Sequence, residues 1–174
     1  GAAFALLERA PASPAAGSVL LLGTGESSDA YHMSSPHPEG LGARLAMEAA
    51  LRSAGLATAD IGYINLHGTA TPKNDEVEAA VVADSFAART RASSSKGWTG
   101  HTLGAAGILE AVICLIALQH GFVPGTLNCE QLDPLCGPQL ALGNESADVR
   151  VALSNSFGFG GSNCTLAFAR GARA

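Results

Sequence analysis

Residues 93–118 read SSSKGWTGHTLGAAGILEAVICLIAL. A polar, glycine-punctuated lead runs into Leu103–Leu118, a 16-residue apolar stretch whose one charge is Glu110. A helix lying on a single sheet needs one apolar stripe, whereas a helix apolar nearly all round predicts burial on every side. Such a central helix asks for sheets above and below, and so short a chain does not obviously supply the second. Outward from it, Leu41–Ala54 repeats apolar positions at 41, 45, 46, 49 and 50, a helical period with Gly55 as its stop. Gly62–Leu66 reads as a strand that delivers His67 at its end. Asn74 is expected to cap a helix running to about Phe86, with Asp75 and Glu76 in the first turn, where the dipole favours them. Residues 91–95 read as a short extended segment, and 149–156 and 162–169 as strands around the turn Gly158-Phe-Gly-Gly161. Residues 2–9 (AAFALLER) and 18–24 (SVLLLGT) read as two further strands, 27–40 as a long surface loop and 169–174 as a frayed tail. The order β-β-α-β-α-β-α-β-β predicts an α/β layered domain with a mixed sheet.

Composition narrows the function. The chain has 174 residues, net charge −5 and 14% charged residues, well below the roughly 25% of an average soluble domain. An acidic balance makes nucleic acid and anionic membrane poor partners. With 47% hydrophobic residues and so few charges, part of the surface is expected to be covered by more protein. Cys114, Cys129, Cys136 and Cys164 have neither CxxC nor metal spacing and read as reduced thiols. The first eight residues lack the basic region of a signal peptide, and 103–118 is too short and too polar for a membrane span. The expectation is a cytoplasmic protein.

Three polar segments interrupt the apolar elements: Asn65–Pro72 (NLHGTATP), Ser93–His101 (SSSKGWTGH) and Ser154–Asn163 (SNSFGFGGSN). His67 lies at the carboxyl end of a strand, where sites in α/β sheets gather. His101 precedes a helix, and the positive potential of a helix N-terminus would keep its imidazole neutral, a donor rather than a cation. The glycine-rich turn has no Lys-Ser/Thr sequel and is not a phosphate loop. Glu110 requires a partner, either Lys96 or a bound ion. A metal held by His67 and His101 lacks a third ligand with zinc spacing.

Together, NLHGTATPKND, SSSKGWTGHTLGAAGILEA and LSNSFGFGGSN, in this order and with SSDAYHMSSPHPEG before them, resemble the C-terminal half of a β-ketoacyl-acyl carrier protein synthase. The resemblance implies a thiolase-like layered fold of two similar halves in five α-β-α-β-α layers, which would account for the apolar helix and the low charge. It divides the chain into residues 1–16 as the tail of the first half, 17–170 as the synthase C-terminal domain and 171–174 as a tail. It implies decarboxylative condensation of a malonyl thioester with an acyl thioester, both carried on acyl carrier protein, in fatty acid or polyketide-type biosynthesis. The family's nucleophilic cysteine belongs to the other half, so this chain alone is expected to be inactive.

Carried over by residue, His67 and His101 polarise the malonyl carbonyl, and His67 acts on the carboxylate or on a water. Lys96 positions His101 and pairs with Glu110. Thr69 and Thr71 bond the pantetheine arm. Phe159 supplies an oxyanion-hole N–H, and its ring gates the tunnel within Phe157, Gly158, Phe159, Gly160 and Gly161. No cofactor is required, although Asn65, Glu110, Ser154 and Asn155 match the surroundings of a structural monovalent or divalent cation. Expected partners are acyl carrier protein, the N-terminal half, and a second synthase subunit in a homodimer or ketosynthase heterodimer. Ser95 where threonine is common, and the bulky Trp98, bear on acyl-chain preference rather than on the reaction. The alternatives are a non-catalytic chain-length-factor-like subunit and a thioesterase-like hydrolase built on His67, which lacks a nucleophile and an acid partner.

Overall fold

The computed structural model describes residues 1–171. Its main sheet has the order β1-β7-β6-β2-β3, formed by Val19–Ser28 (β1), Tyr63–Asn65 (β2), Arg91–Ser93 (β3), Val151–Gly158 (β6) and Ser162–Arg170 (β7). β1, β7 and β6 run antiparallel, and β2 lies parallel to both β6 and β3, so the sheet is mixed. The helices are Leu41–Ala54 (α1), Pro72–Ser85 (α2), Lys96–Thr99 (α3) and Ala106–His120 (α4). A two-stranded ribbon, Phe122–Val123 (β4) with Glu145–Ser146 (β5), stands apart.

Strand alternation sorts the core onto two faces. Ile64, Leu153 and Ala167 join Met47 and Leu51 of α1 and Val81 and Val82 of α2. Their neighbours Tyr63, Ala152 and Phe168 face the other way, onto Ala111, Cys114 and Leu118 of α4. α1 lies so close to β1 that a Cβ on Gly25 would fall 2.0 Å from the Ala46 carbonyl oxygen. Only glycine allows that approach.

Several expectations require correction. Residues 2–9 form no strand: no neighbouring strand pairs with them, and Phe4, Leu6 and Leu7 are exposed. α2 begins one turn earlier than expected, with Thr71 at its N-cap and Pro72 at N1, where a missing N–H costs nothing. Asn74 therefore sits inside the first turn. β1 extends to Ser28 and β7 to Arg170, which pairs with Val19, so Ala169 and Arg170 are not frayed. Residues 172–174, the rest of the expected tail, lie outside the described residues.

The largest correction concerns the apolar helix. α4 buries one stripe (Ala106, Glu110, Ala111, Cys114, Ala117 and Leu118) and leaves Ile116 41% exposed. One sheet can cover only one face. Counting the turn at Leu103–Ala105, the helical stretch Leu103–His120 has 18 residues, and by length and composition is long and apolar enough to cross a membrane. Its inward face packs on the sheet and carries a buried ion pair.

Candidate active site

β2 ends at Asn65, and Leu66 continues the ladder by donating its N–H to the Ser93 carbonyl. The chain then leaves the sheet, and side chains take over its backbone. Glu78 of α2, 2% exposed, accepts the His67 and Gly68 N–H groups on its two carboxylate oxygens, each at 2.9 Å. Asn155 Nδ2 donates to the same carboxylate at 3.1 Å. Burial nevertheless pushes the Glu78 carboxyl up to about 7.

Lys96, at the head of α3, is buried at 8% exposure. Its ammonium donates to the Glu110 carboxylate and the His67 carbonyl, and Nζ lies 3.4 Å from His67 Nδ1. This answers the requirement that Glu110, 1% exposed, find a partner. Burial still pushes the Glu110 carboxyl upward, against the pull of Lys96.

The two histidines meet edge to face, with ring centroids 5.6 Å apart and planes at 85°, and Phe157 lies 5.8 Å from His67. Burial first, then Lys96 and His101, pulls His67 down to about 3. Burial and then Lys96 also lower His101. Both rings are thus neutral at pH 7. His101 stands just before the helical stretch that begins at Leu103, whose N–H it accepts, and burial and Lys96 lower its pKa.

Tautomers follow from the partners of Nδ1. An ammonium can only donate, so His67 Nδ1 accepts, and the ring proton sits on Nε2. His101 Nδ1 accepts the Leu103 N–H at 3.3 Å, again leaving Nε2–H. Leu103 holds φ at +53° to present that N–H, a left-handed conformation that non-glycine residues rarely adopt. The site therefore contains two neighbouring neutral rings, each with an Nε2–H donor.

A cleft of about 750 Å³ opens beside His101, which lines it with Lys96, Thr69 and Thr71 among others. The two threonine hydroxyls lie 2.7 Å apart. In the glycine-rich turn, Gly160 and Gly161 hold φ at +82° and +78°, and Phe159 is 84% exposed. Gly160 N–H bonds the Met33 carbonyl at 2.8 Å, tying this turn to the 29–40 loop. Phe157, rather than Phe159, touches His67.

Asn65 and Ser154 face each other across β2 and β6. Glu110 Oε2 and Ser154 Oγ are buried without hydrogen-bond partners. Asn155 turns to the opposite side, its amide engaged with Glu78 and Thr165. Among the described residues, no group of three His, Cys, Asp or Glu is placed to hold a metal. Sequence reasoning missed Glu78, although it precedes Val81 and Val82 by three and four residues and so occupies a core position of its helix.

Residues 19–130 match the beta-ketoacyl synthase, C-terminal domain family. The chain belongs to that family. It is 45% identical over 156 residues to a mitochondrial 3-oxoacyl-[acyl-carrier-protein] synthase of Arabidopsis thaliana, covering 86% of this chain and 34% of that protein. It is 40% identical over 179 residues to 3-oxoacyl-[acyl-carrier-protein] synthase 2 of Vibrio cholerae, covering 98% and 43%. Among solved structures, a ketosynthase in complex with its chain length factor from Xenorhabdus doucetiae superposes with TM-score 0.83 at 46% identity, covering 87% of this chain and 39% of that one. A beta-ketoacyl synthase from Burkholderia phymatum superposes with TM-score 0.81 at 37% identity, covering 88% and 37%. The fold is thus the thiolase-like ketosynthase fold, and the chain spans about two fifths of the length of these relatives.

Proposed function

We propose that this chain is the C-terminal half of a 3-oxoacyl-[acyl-carrier-protein] synthase and supplies the groups that decarboxylate the malonyl thioester. The observation that carries the reading is the pair of neutral rings with Nδ1 occupied and Nε2–H available. When malonyl thioester loses CO₂, negative charge gathers on the thioester oxygen. Two preorganised neutral donors aimed at that oxygen stabilise the enolate without titrating. The enolate carbon then attacks an acyl thioester held on a cysteine, the thiolate leaves, and the C–C bond forms.

That cysteine is supplied by the rest of the protein. Burial pushes Cys114 up to about 12 and also raises Cys136 and Cys164, the reverse of what a nucleophilic thiolate needs. Thr69 and Thr71 on the cleft wall suit the polar pantetheine arm of a carrier protein. Phe159 and its flanking glycines form the gate. The unmatched apolar face of α4 and the exposed Phe4, Leu6 and Leu7 suit contact with the N-terminal half and with a second synthase subunit, in a homodimer or ketosynthase heterodimer. The unpartnered oxygens of Glu110 and Ser154, with Asn65 beside them, fit a hard monovalent or divalent cation, which would brace this corner structurally.

The test is CO₂ release from malonyl-carrier protein by the complete polypeptide. His67→Ala and His101→Ala should each lower the rate by about 10²–10³. Wild-type rates in both variants refute the proposal. A complete wild-type polypeptide that accelerates a partner synthase but releases no CO₂ itself would instead be a chain-length-factor-like subunit.

A further inference from the structure

The His67–Gly68 dipeptide has left the sheet, yet all four of its backbone polar groups are bonded, each to a side chain. Glu78 takes the two N–H groups, Lys96 donates to the His67 carbonyl, and Ser94 Oγ donates to the Gly68 carbonyl at 2.6 Å. Ser94 is also a junction. Its oxygen accepts the Lys96 N–H at 3.3 Å, and its own N–H donates to Thr126 Oγ1 at 3.3 Å. At 8% exposure, one hydroxyl thus links the loop that follows His67 to the segment that carries Lys96 and His101. The fit is close: Gly68 holds φ at +35°, and a Cβ there would lie 2.6 Å from Ser94 Cβ.

The geometry points to Ser94 as a positioning residue that sets the Thr69–Thr71 stretch against the two histidine donors; this rests on the synthase reading above. Its hydroxyl is engaged by the Gly68 carbonyl and the Lys96 N–H. Glu78 and Lys96 make three of the four clamps, two of them on His67 itself, so loss of the Ser94 clamp leaves His67 in place. What it frees is the Gly68 carbonyl and, with it, the stretch that follows, whose Thr69 and Thr71 line the cleft and whose remaining anchor is the Thr69 N–H on Asp75 at 3.1 Å. The structure thereby separates two effects. His67 and His101 govern the rate on bound thioester, while Ser94 governs how well the thioester arm is held. The half-buried Gly68 carbonyl, deprived of its donor, turns to another partner, and the loop shifts with it.

The experiment uses the complete synthase polypeptide and malonyl-pantetheine as the probe, with CO₂ release followed against probe concentration. Ser94→Ala should raise KM roughly five- to tenfold while kcat falls less than about threefold. Ser94→Thr, which keeps the hydroxyl, should recover at least half of the loss. In a Thr69→Val/Thr71→Val background, Ser94→Ala should change KM less than about twofold further, because the groups through which it acts are gone. Unchanged KM in Ser94→Ala, a fall in kcat with KM constant, or full additivity with the threonine changes overturns the assignment. If the alanine variant does not fold, Ser94→Cys carries the test: its weak donor should raise KM, and an unchanged KM overturns the assignment equally. A wild-type polypeptide that releases no CO₂ defeats the synthase reading itself, whereas an active wild type with a silent Ser94→Ala defeats only this one.

Discussion

Replacing Lys96 with methionine removes the ammonium that joins Glu110, the His67 carbonyl and His67 Nδ1 while keeping the side chain's length. Glu110 is left as a buried carboxylate at 1% exposure, its second oxygen already without a partner. Removing one member of a buried pair costs about 3–5 kcal/mol, because the survivor is uncompensated. At roughly 2–4 °C per kcal/mol for a chain of this size, the melting temperature should fall by about 6–20 °C. The cost should depend on pH. The folded Glu110 carboxyl is raised above 4.5, so its neutral form carries no penalty at low pH, and the penalty grows as pH rises through the folded value. Lys96→Met should therefore lose more at pH 8 than at pH 5. Adding Glu110→Gln removes the stranded charge and should recover most of the stability. It should not restore His67, which loses the charge that helps hold it low and should titrate above its present value of about 3. Denaturant unfolding of the single and double variants at the two pH values decides the matter. A single variant that loses less than about 1 kcal/mol, or a double variant no more stable than the single, refutes the buried-pair account.

Three further substitutions have definite expected outcomes. Glu78 has a folded pKa of about 7 against 4.5 unfolded, so stability should fall as pH rises between them, and Glu78→Gln should flatten that slope in melting temperature against pH. His67 runs the opposite way, about 3 folded against 6.5 unfolded, so its contribution is lost as pH falls through that window; His67→Gln should remove the acid-side decline. Gly25→Ala, whose Cβ would sit 2.0 Å from the Ala46 oxygen, should destabilise by about 3 kcal/mol or more, because α1 must move. Gly143→Ala, with nothing within 4 Å, is the control and should stay within about 0.5 kcal/mol in denaturant unfolding.

What the sequence made legible was local. α1 lies where its apolar period and Gly55 place it, Leu41–Ala54, and the carboxyl-terminal hairpin needed only small changes at its ends. The rule that a carboxylate within an apolar stretch needs a partner left Lys96 or a bound ion for Glu110, and the structure pairs it with Lys96. Non-local features stayed hidden. Residues 2–9 have the composition of a strand, but a strand also needs a neighbour, which composition does not reveal. The pattern of α4 is right for a helix with protein on every side, and the described residues cover one side of it. Glu78 and Ser94 look like ordinary polar residues of a helix and a serine run. Their roles arise only when the backbone of His67 and Gly68 is brought between them. The part of Lys96 in lowering the His101 pKa was also out of reach, because it depends on where Lys96 ends up.

The most direct test is long-range ¹H–¹⁵N correlation spectroscopy of the histidine rings in the complete, ¹⁵N-labelled protein across pH 4–8. At pH 5, where an unperturbed histidine is mostly an imidazolium, the account predicts a neutral His67 with its proton on Nε2. At pH 7 it predicts the same form for both His67 and His101. A protonated His67 at pH 5, or either ring carrying its proton on Nδ1 at pH 7, contradicts the two-donor site on which the proposed chemistry depends.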